Sequence, residues 1–395
     1  MTELPTLPFD RPDLLTVAPK MRELQVEAPI TRVRMQTGDE AWLVTRYDDV
    51  KTLFADSRLG RSHPKPDEAP RFSESAMLGG PMNNFETEAE DHTRMRNLLV
   101  PRFSPRRMRM LKPKVEGMVD DLLDRMAELD RPADLHEALA FPLPVLVICE
   151  LLGVPFADRE YFRDLSTSMA HLHDRERSFN ARNEMYGYMY ELVVRKRAEP
   201  GNDVLTELTQ IDDADLTDQD IAELGSGVLF AGHETTVVRI DMGTLLLLDH
   251  PDQLALLRSD PSRVPTTVEE ILRLGTFHDG PGMPRYAHAD IDIDGVRIAM
   301  GDAVILGVGA ANRDESTFPD PERMDLGREH PTNHLSFGHG ARYCIGAVLA
   351  RIELTAVFER LFTRFPELRL AVPVRELHWR SDMLTGGLEH LPVTW

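Results

Sequence analysis

The chain has 395 residues and is 42% apolar, enough to bury a sizeable core in one large domain or in two or three average ones. Lys and Arg total 45 against 66 Asp and Glu, a net charge of −21, which disfavours nucleic acid or an anionic membrane as the main partner. With no run near the roughly 18 apolar residues that span a bilayer, no signal-like start and only two cysteines, the chain reads as soluble, cytoplasmic and without a disulfide framework.

Near the N-terminus, ITRVRM and AWLVTRY flank QTGDE in the pattern of a hairpin, and DDVKTLFAD after it has helical spacing. The stretch SESAMLGGPMNNFETEAED, Ser73 to Asp91, lacks periodicity and is expected to be a loop, either a binding element or surface disorder. From His92 to Lys114 there are eight Arg or Lys and no acid; a solvated helix face and a docking site for an acidic partner both fit. Amphipathic stretches cover roughly 105–130, 137–152, 182–197, 217–249, 251–258, 266–274 and 345–364, separated by loops containing Pro and Gly. Within the second of these, Cys149 in FPLPVLVICELLGVP reads as core packing. Thr217, with Asp220 three residues on, opens the longest helix in a capping-box pattern. DIDI and VRIA around Asp294-Gly295 form a second hairpin, and AVILGV a further strand. The expected class is mainly α with small β-sheets, and with no linker or repeat the whole of 1–395 is expected to be a single domain.

Cys344 lies in HLSFGHGARYCIG, His334 to Gly346. Downstream, Ile345, Val348, Leu349, Ile352, Phe358, Leu361, Phe362 and Phe365 recur at helical spacing, which puts Cys344 at a helix N-terminus. Unsatisfied N–H groups and the positive end of the helix dipole favour a thiolate there. Gly338, Gly340 and Gly346 allow tight turns and close approach to a flat ligand. This suits a metal ligand. Structural zinc would need four close ligands and c-type haem a C-x-x-C-H motif, and neither pattern is present around Cys344.

The spacing Phe337-x-x-Gly340-x-Arg342-x-Cys344-x-Gly346 resembles the haem-binding loop of the cytochrome P450 family, and further stretches fall in that family's order along essentially the whole chain. The resemblance implies the P450 fold, a helical bundle around a buried haem b, with Cys344 as the axial ligand of the metal and Phe337, Gly338, Arg342 and Gly346 beside the cofactor. AGHETT, Ala231 to Thr236, matches the acid–alcohol pair of the family: Glu234 and Thr235 would help deliver protons where the long helix opens locally, and Ala231 and Gly232 would leave room for O2. Glu270-x-x-Arg273 matches a buried structural ion pair that braces the Cys loop. His92, Arg96, Arg285 and Arg342 match positions that contact the haem propionates. The chain departs from the family at Met324, where an aromatic is usual, and in TEAEDH, which lacks the prolines often found before His92.

The implied activity is that of a monooxygenase placing one oxygen atom of O2 in a C–H or C=C bond, by hydroxylation or epoxidation, since a thiolate ligand favours O–O cleavage. The chain carries no flavin or iron–sulfur segment, so electrons would come from a separate ferredoxin and ferredoxin reductase, or equivalents, docking on the basic 92–114 stretch. Positions matching substrate-contacting regions are Met77, Leu78, Met82, Met169, His171, Leu229, Phe230, Met283, Met383 and Leu384, with Gly280 and Gly282 as further space, although ordinary core packing also fits each. So many methionines suit an adaptable apolar pocket for a bulky natural product: a macrolide, another polyketide or a terpenoid. The protein is expected to be a monomer. Rival readings are a peroxide-driven peroxygenase, which Glu234 and Thr235 argue against, and a non-enzymatic haem sensor.

Overall fold

The computed structural model describes residues 4–75, 79–213, 215–275, 283–383 and 385–395. In chain order its helices are α1 (Pro19–Glu27), α2 (Tyr47–Ala55), α3 (Glu88–Leu99), α4 (Pro105–Ala127), α5 (Pro142–Leu152), α6 (Arg159–Met169), α7 (Arg175–Ala198), α8 (Val204–Thr209), α9 (Asp218–Asp249), α10 (Pro251–Ser259), α11 (Val264–Leu274), α12 (Val308–Ala311) and α13 (Ala347–Arg364). Its strands are β1 (Ile30–Arg34), β2 (Glu40–Val44), β3 (Leu59–Gly60), β4 (Ala133–Asp134), β5 (Arg285–Ala287), β6 (Ile291–Ile293), β7 (Val296–Ile298), β8 (Ala303–Leu306), β9 (Arg369–Leu370) and β10 (Pro392–Thr394). Among the described residues no helix is long and apolar enough to cross a membrane.

Every long periodic stretch is helical, and the differences lie at the ends. The stretch 137–152 divides into a π-helical turn, His136–Ala140, and α5, because Pro142 at the start of α5 has no N–H with which to continue the preceding turn. The loop expected over Ser73–Asp91 gives way at Glu88, where Glu88, Glu90 and Asp91 supply the acids that favour a helix start. α13 opens at Ala347 with Gly346 as its N-cap, so Cys344 lies three residues ahead of the helix and not in its first turn.

The chain forms two compact units. The first comprises Met1–His92, Met242–Cys344 and Pro373–Trp379. It holds a sheet of order β1-β2-β8-β5-β3, in which β1 pairs antiparallel with β2 and β2 parallel with β8. Successive residues point to opposite faces, so Leu43 and Ile305 enter one apolar cluster while Val44 and Val304 enter another. Asp294 and Gly295, both at positive φ, make the tight turn between β6 and β7.

In the same unit the pair on α11 fixes the start of the Cys344 loop. Glu270 and Arg273 have no exposed side-chain surface, and the guanidinium donates to both carboxylate oxygens at 2.8 and 2.9 Å. Arg328 adds a bond to Glu270 at 3.0 Å, and Arg273 spends its other donors on the carbonyls of Asn312, Pro321 and Arg323. The Asn312 amide oxygen then accepts the Leu335 N–H at 2.7 Å, and its nitrogen donates to Ser336 Oγ at 2.9 Å. Met324 is fully buried.

The second unit comprises Thr93–Asp241, Ile345–Val372 and Arg380–Trp395. α13 packs along α4, burying Val115, Val119 and Leu122 of α4 with Leu349, Ile352 and Leu361 of α13. Cys149 is buried in α5, and burial pushes its thiol up to about 12, as a packing residue requires. At the start of α9 the Thr217 hydroxyl accepts the Asp220 N–H at 3.2 Å, while the Asp220 carboxylate accepts the Thr217 N–H at 2.8 Å. This is the expected reciprocal cap.

Candidate active site

The Cys344 loop is shaped by backbone conformation. Gly338 and Gly340 lie at φ +72° and +71°, in the left-handed region, whereas Gly346, at −83°, needs no such freedom. The Cys344 N–H donates to the Phe337 carbonyl at 2.8 Å, and the Cys344 side chain is exposed. The Phe337 ring meets Tyr343 and His334, with centroids 6.2 and 5.9 Å apart. His339 is half-buried in the same loop.

Behind this loop, still in the first unit, the fold gathers Arg285 of β5, Arg342, and two residues the sequence did not single out, Arg61 and Glu88. Arg285 is 6% exposed, and burial together with Arg61 and Arg342 pushes its guanidinium down to about 9 against the opposing pull of Glu88. Burial and Arg342 likewise bring Arg61 down to about 10. The Glu88 carboxylate pairs with Arg342 and accepts the N–H groups of Arg61 and Ser62. Leaving His288 aside, three guanidiniums face one carboxylate, an excess of two positive charges. Of the other two expected cations, His92 lies on α3 in this unit and Arg96 four residues along the same helix in the second unit.

In the second unit, α9 is an unbroken α-helix through Ala231–Thr236, so the local opening that the resemblance implies is not seen there. The Thr235 hydroxyl donates to the Ala231 carbonyl at 2.9 Å and that of Thr236 to the Gly232 carbonyl at 3.2 Å, each diverting a helix acceptor. Gly227, Ala231 and Thr235, four apart, form an exposed stripe, while His233, Glu234 and Thr236 are buried on the other side. Gly232 serves packing: a Cβ there would lie 3.0 Å from Ile148 Cδ1 of α5. Glu234 is fully buried; Thr385 donates to its Oε2 at 3.2 Å, Arg380 lies 3.7 Å from the same oxygen, and Oε1 has no hydrogen-bond partner. His233 donates or accepts at Ser166 Oγ, 3.1 Å away, and burial depresses its pKa.

The expected substrate positions are distributed over both units. Met82 and Met283 belong to the first, where the Met82 N–H donates to the Arg61 carbonyl at 2.9 Å and the Met283 sulfur meets the Arg61 side chain. In the second, His171 bridges to Met383 and lies 3.3 Å from Asp382, while Met169, Leu229 and Phe230 are buried. Met77, Leu78, Leu384, Gly280 and Gly282 lie outside the described residues.

A mainly α fold carrying this Cys loop, the AGHETT helix and a partly buried arginine cluster suits a haem-dependent oxygenase. Residues 170–371 match the family Cytochrome P450. The chain is 52% identical to a pentalenolactone synthase of Streptomyces exfoliatus over 100% of both chains. It is 39% identical to a mycinamicin IV hydroxylase/epoxidase of Micromonospora griseorubida over 98% of each. The solved structure of CYP105P1 in complex with filipin I superposes with a TM-score of 0.92 at 39% identity, covering 100% of this chain and 99% of that one. The chain therefore belongs to the cytochrome P450 family. It is a monooxygenase of the kind that acts on natural products, with a haem iron cofactor, use of O2 and separate redox partners.

Proposed function

We propose that Cys344 is the axial thiolate of a haem b and that Glu234 and Thr235 manage the protons of the reaction. The observation that carries this reading is the Cys344 loop, which two left-handed glycines and the Cys344 N–H bond to Phe337 shape around an exposed sulfur. The arginine cluster supports it independently, because an excess of two positive charges suits the two carboxylates of a haem. Arg285 and Arg342, with His92 and Arg96, would hold those carboxylates, and Phe337, Gly338 and Gly346 would line the thiolate side. When bound, the haem supplies oxygen activation, which a thiolate ligand favours.

The chain's own residues then bind substrate, exclude water and move protons. Thr235 presents its hydroxyl on the exposed stripe of α9, where Ala231 keeps the surface low enough for O2. Glu234, held by Thr385 behind that stripe, relays protons to it. Both groups are superfluous for a peroxide-driven enzyme, so their presence favours O2 with reductant. Met82 and Met283 in the first unit, Met169, His171, Leu229, Phe230 and Met383 in the second, and Met77, Leu78 and Leu384 outside the described residues are the positions we assign to substrate contact, and so many methionines suit a bulky apolar natural product. The 52% identical relative is named a pentalenolactone synthase, which favours a compound of the pentalenolactone kind over a macrolide. Ferredoxin and its reductase supply the electrons to a cytoplasmic monomer.

The test is the spectrum of the reduced protein with carbon monoxide. A long-wavelength Soret band, lost in Cys344→His, is expected; a histidine-like band in the unmutated protein overturns the assignment. Spin-state shifts across a panel of terpenoid and polyketide lactones then rank substrates, and turnover with reductant and O2 excludes a sensor.

A further inference from the structure

We propose that Glu88 is a resident counter-ion that occupies Arg342 and moderates the grip of the arginine cluster on the haem propionates. The proposal rests on the reading that Arg285 and Arg342 take those propionates. Glu88 is 2% exposed at the first residue of α3, and a buried carboxylate is costly unless its oxygens are satisfied. Here both are. Oε1 accepts the Arg61 N–H at 2.9 Å and the Arg342 guanidinium; Oε2 accepts the Ser62 N–H at 2.7 Å and the Ser62 hydroxyl. His288 Nε2 stands 3.4 Å from Oε2 and 3.0 Å from the Ser62 carbonyl. Among the described residues no other carboxylate is bonded to Arg61, Arg285 or Arg342.

The arrangement has two electrostatic consequences. Before the cofactor arrives, Glu88 is the partner that offsets mutual repulsion among three guanidiniums, of which Arg285 is buried and Arg61 and Arg342 are half-buried. Once propionates arrive, they share Arg342 with a carboxylate already in place, so the attraction they feel is that of two net charges and not three. A neutral residue at 88 would leave the apoprotein cluster without a counter-ion, tighten the hold on a dicarboxylate and add a positive charge near the iron. Added positive charge favours the ferrous state, which carries one positive charge fewer.

Glu88→Gln removes this charge and the bond to Arg342 together; an amide oxygen in the place of Oε2, which also lies 3.0 Å from the Arg61 nitrogen, still accepts the backbone N–H groups of Arg61 and Ser62. Holoprotein is prepared, and three quantities are measured: the rate of haem transfer to apomyoglobin, the reduction potential by dye titration, and the melting of apo and holo forms. The proposal expects haem release to slow by about tenfold, a change of about 1.4 kcal/mol. It also expects a higher potential and a larger melting loss in the apoprotein than in the holoprotein. Glu88→Asp keeps the charge and should keep the potential of the parent. If release and potential stay unchanged while both forms lose melting temperature equally, Glu88 is only an anchor between α3 and β3 and the proposal fails. Faster release also overturns it.

Should Glu88→Gln not accumulate, Arg61→Gln provides the opposite change, with one cation fewer: release should quicken and the potential fall, and unchanged values there refute the charge account. Arg285→Gln and Arg342→Gln separate the two readings. If both release haem at the parent rate, the propionate assignment is wrong; if both release it faster while Glu88→Gln has no effect, only the inference about Glu88 is lost.

Discussion

At the scale of single residues, the two left-handed glycines of the Cys344 loop have unequal surroundings. A Cβ on Gly340 would lie 3.0 Å from Ala55 Cα and 3.3 Å from the Phe54 carbonyl oxygen, both backbone atoms of α2 that a rotamer change cannot move. On Gly338 the nearest atom would be the Phe54 ring at 3.6 Å, an ordinary contact. Alanine in the left-handed region costs about 1–2 kcal/mol by itself. Gly338→Ala should lose about that much, and Gly340→Ala measurably more, with a weakened thiolate band in the reduced carbon monoxide spectrum. Equal melting losses would contradict this account of the loop. Thr235 offers a second test. Thr235→Val keeps the shape and removes the hydroxyl, so substrate should still shift the spin state while product formation falls by about a hundredfold, the scale of a lost proton-transfer group. The electrons should appear as hydrogen peroxide; full coupling of reductant to product would remove Thr235 from the proton route.

At the scale of elements, what the sequence made legible was local. The capping box of α9, the Asp294-Gly295 turn and the Glu270–Arg273 spacing are each contained within a few residues, and each took the expected form. Arg342 meets Glu88 across 254 positions, so no periodicity or short motif could announce that pairing, and Arg61 was missed for the same reason. The Glu270–Arg273 pair predicts a stability effect: Arg273→Lys cannot keep the two-pronged bond and the three carbonyl contacts at once. A loss of about 3 kcal/mol is expected, with lower haem occupancy because Asn312 would release the loop entrance at Leu335 and Ser336. A melt within a degree of the parent would refute the bracing role.

The π-helical turn before α5 carries a pH prediction. His136 donates from Nδ1 to Asp241 of α9 at 2.7 Å, both groups buried. Burial alone would lower the His136 pKa, but the hydrogen bond and charge of Asp241 more than offset it; Asp134 adds to the rise and Arg380 opposes it. Burial raises Asp241 as well. A raised folded pKa means that the folded state holds the proton more tightly than the unfolded chain. The stabilisation is therefore complete below the unfolded histidine value of about 6.5 and is lost as pH rises through the folded value. Melting temperature should fall as pH rises above about 6.5, and His136→Gln should flatten that slope while lowering stability at pH 6. A slope unchanged in the variant would assign the pH dependence to another group.

At the scale of the whole molecule, charge decides how an electron donor approaches. A chain of net −21 repels an acidic ferredoxin at long range, so productive encounter requires a local cationic surface. The stretch 92–114 is less available than its composition implies, because several of its cations are already committed. Arg107 and Arg102 pair with Glu207, Lys112 with Glu116 and Lys114 with Glu150. Arg106 and Arg109 of α4 are exposed, three residues apart, and make no ion pair among the described residues. Docking should therefore depend on Arg106 and Arg109, and reversal of Arg107 would mainly break its bond to Glu207. The double change Arg106→Glu and Arg109→Glu should slow the first reduction by ferredoxin, followed by carbon monoxide trapping in stopped flow, while melting stays within about 0.5 kcal/mol of the parent, as for surface changes. The parent rate should fall as salt is raised from low ionic strength, where the Debye length is long, and the variant rate should not. A variant that keeps both the parent rate and its salt dependence would place the donor on a different surface of the molecule.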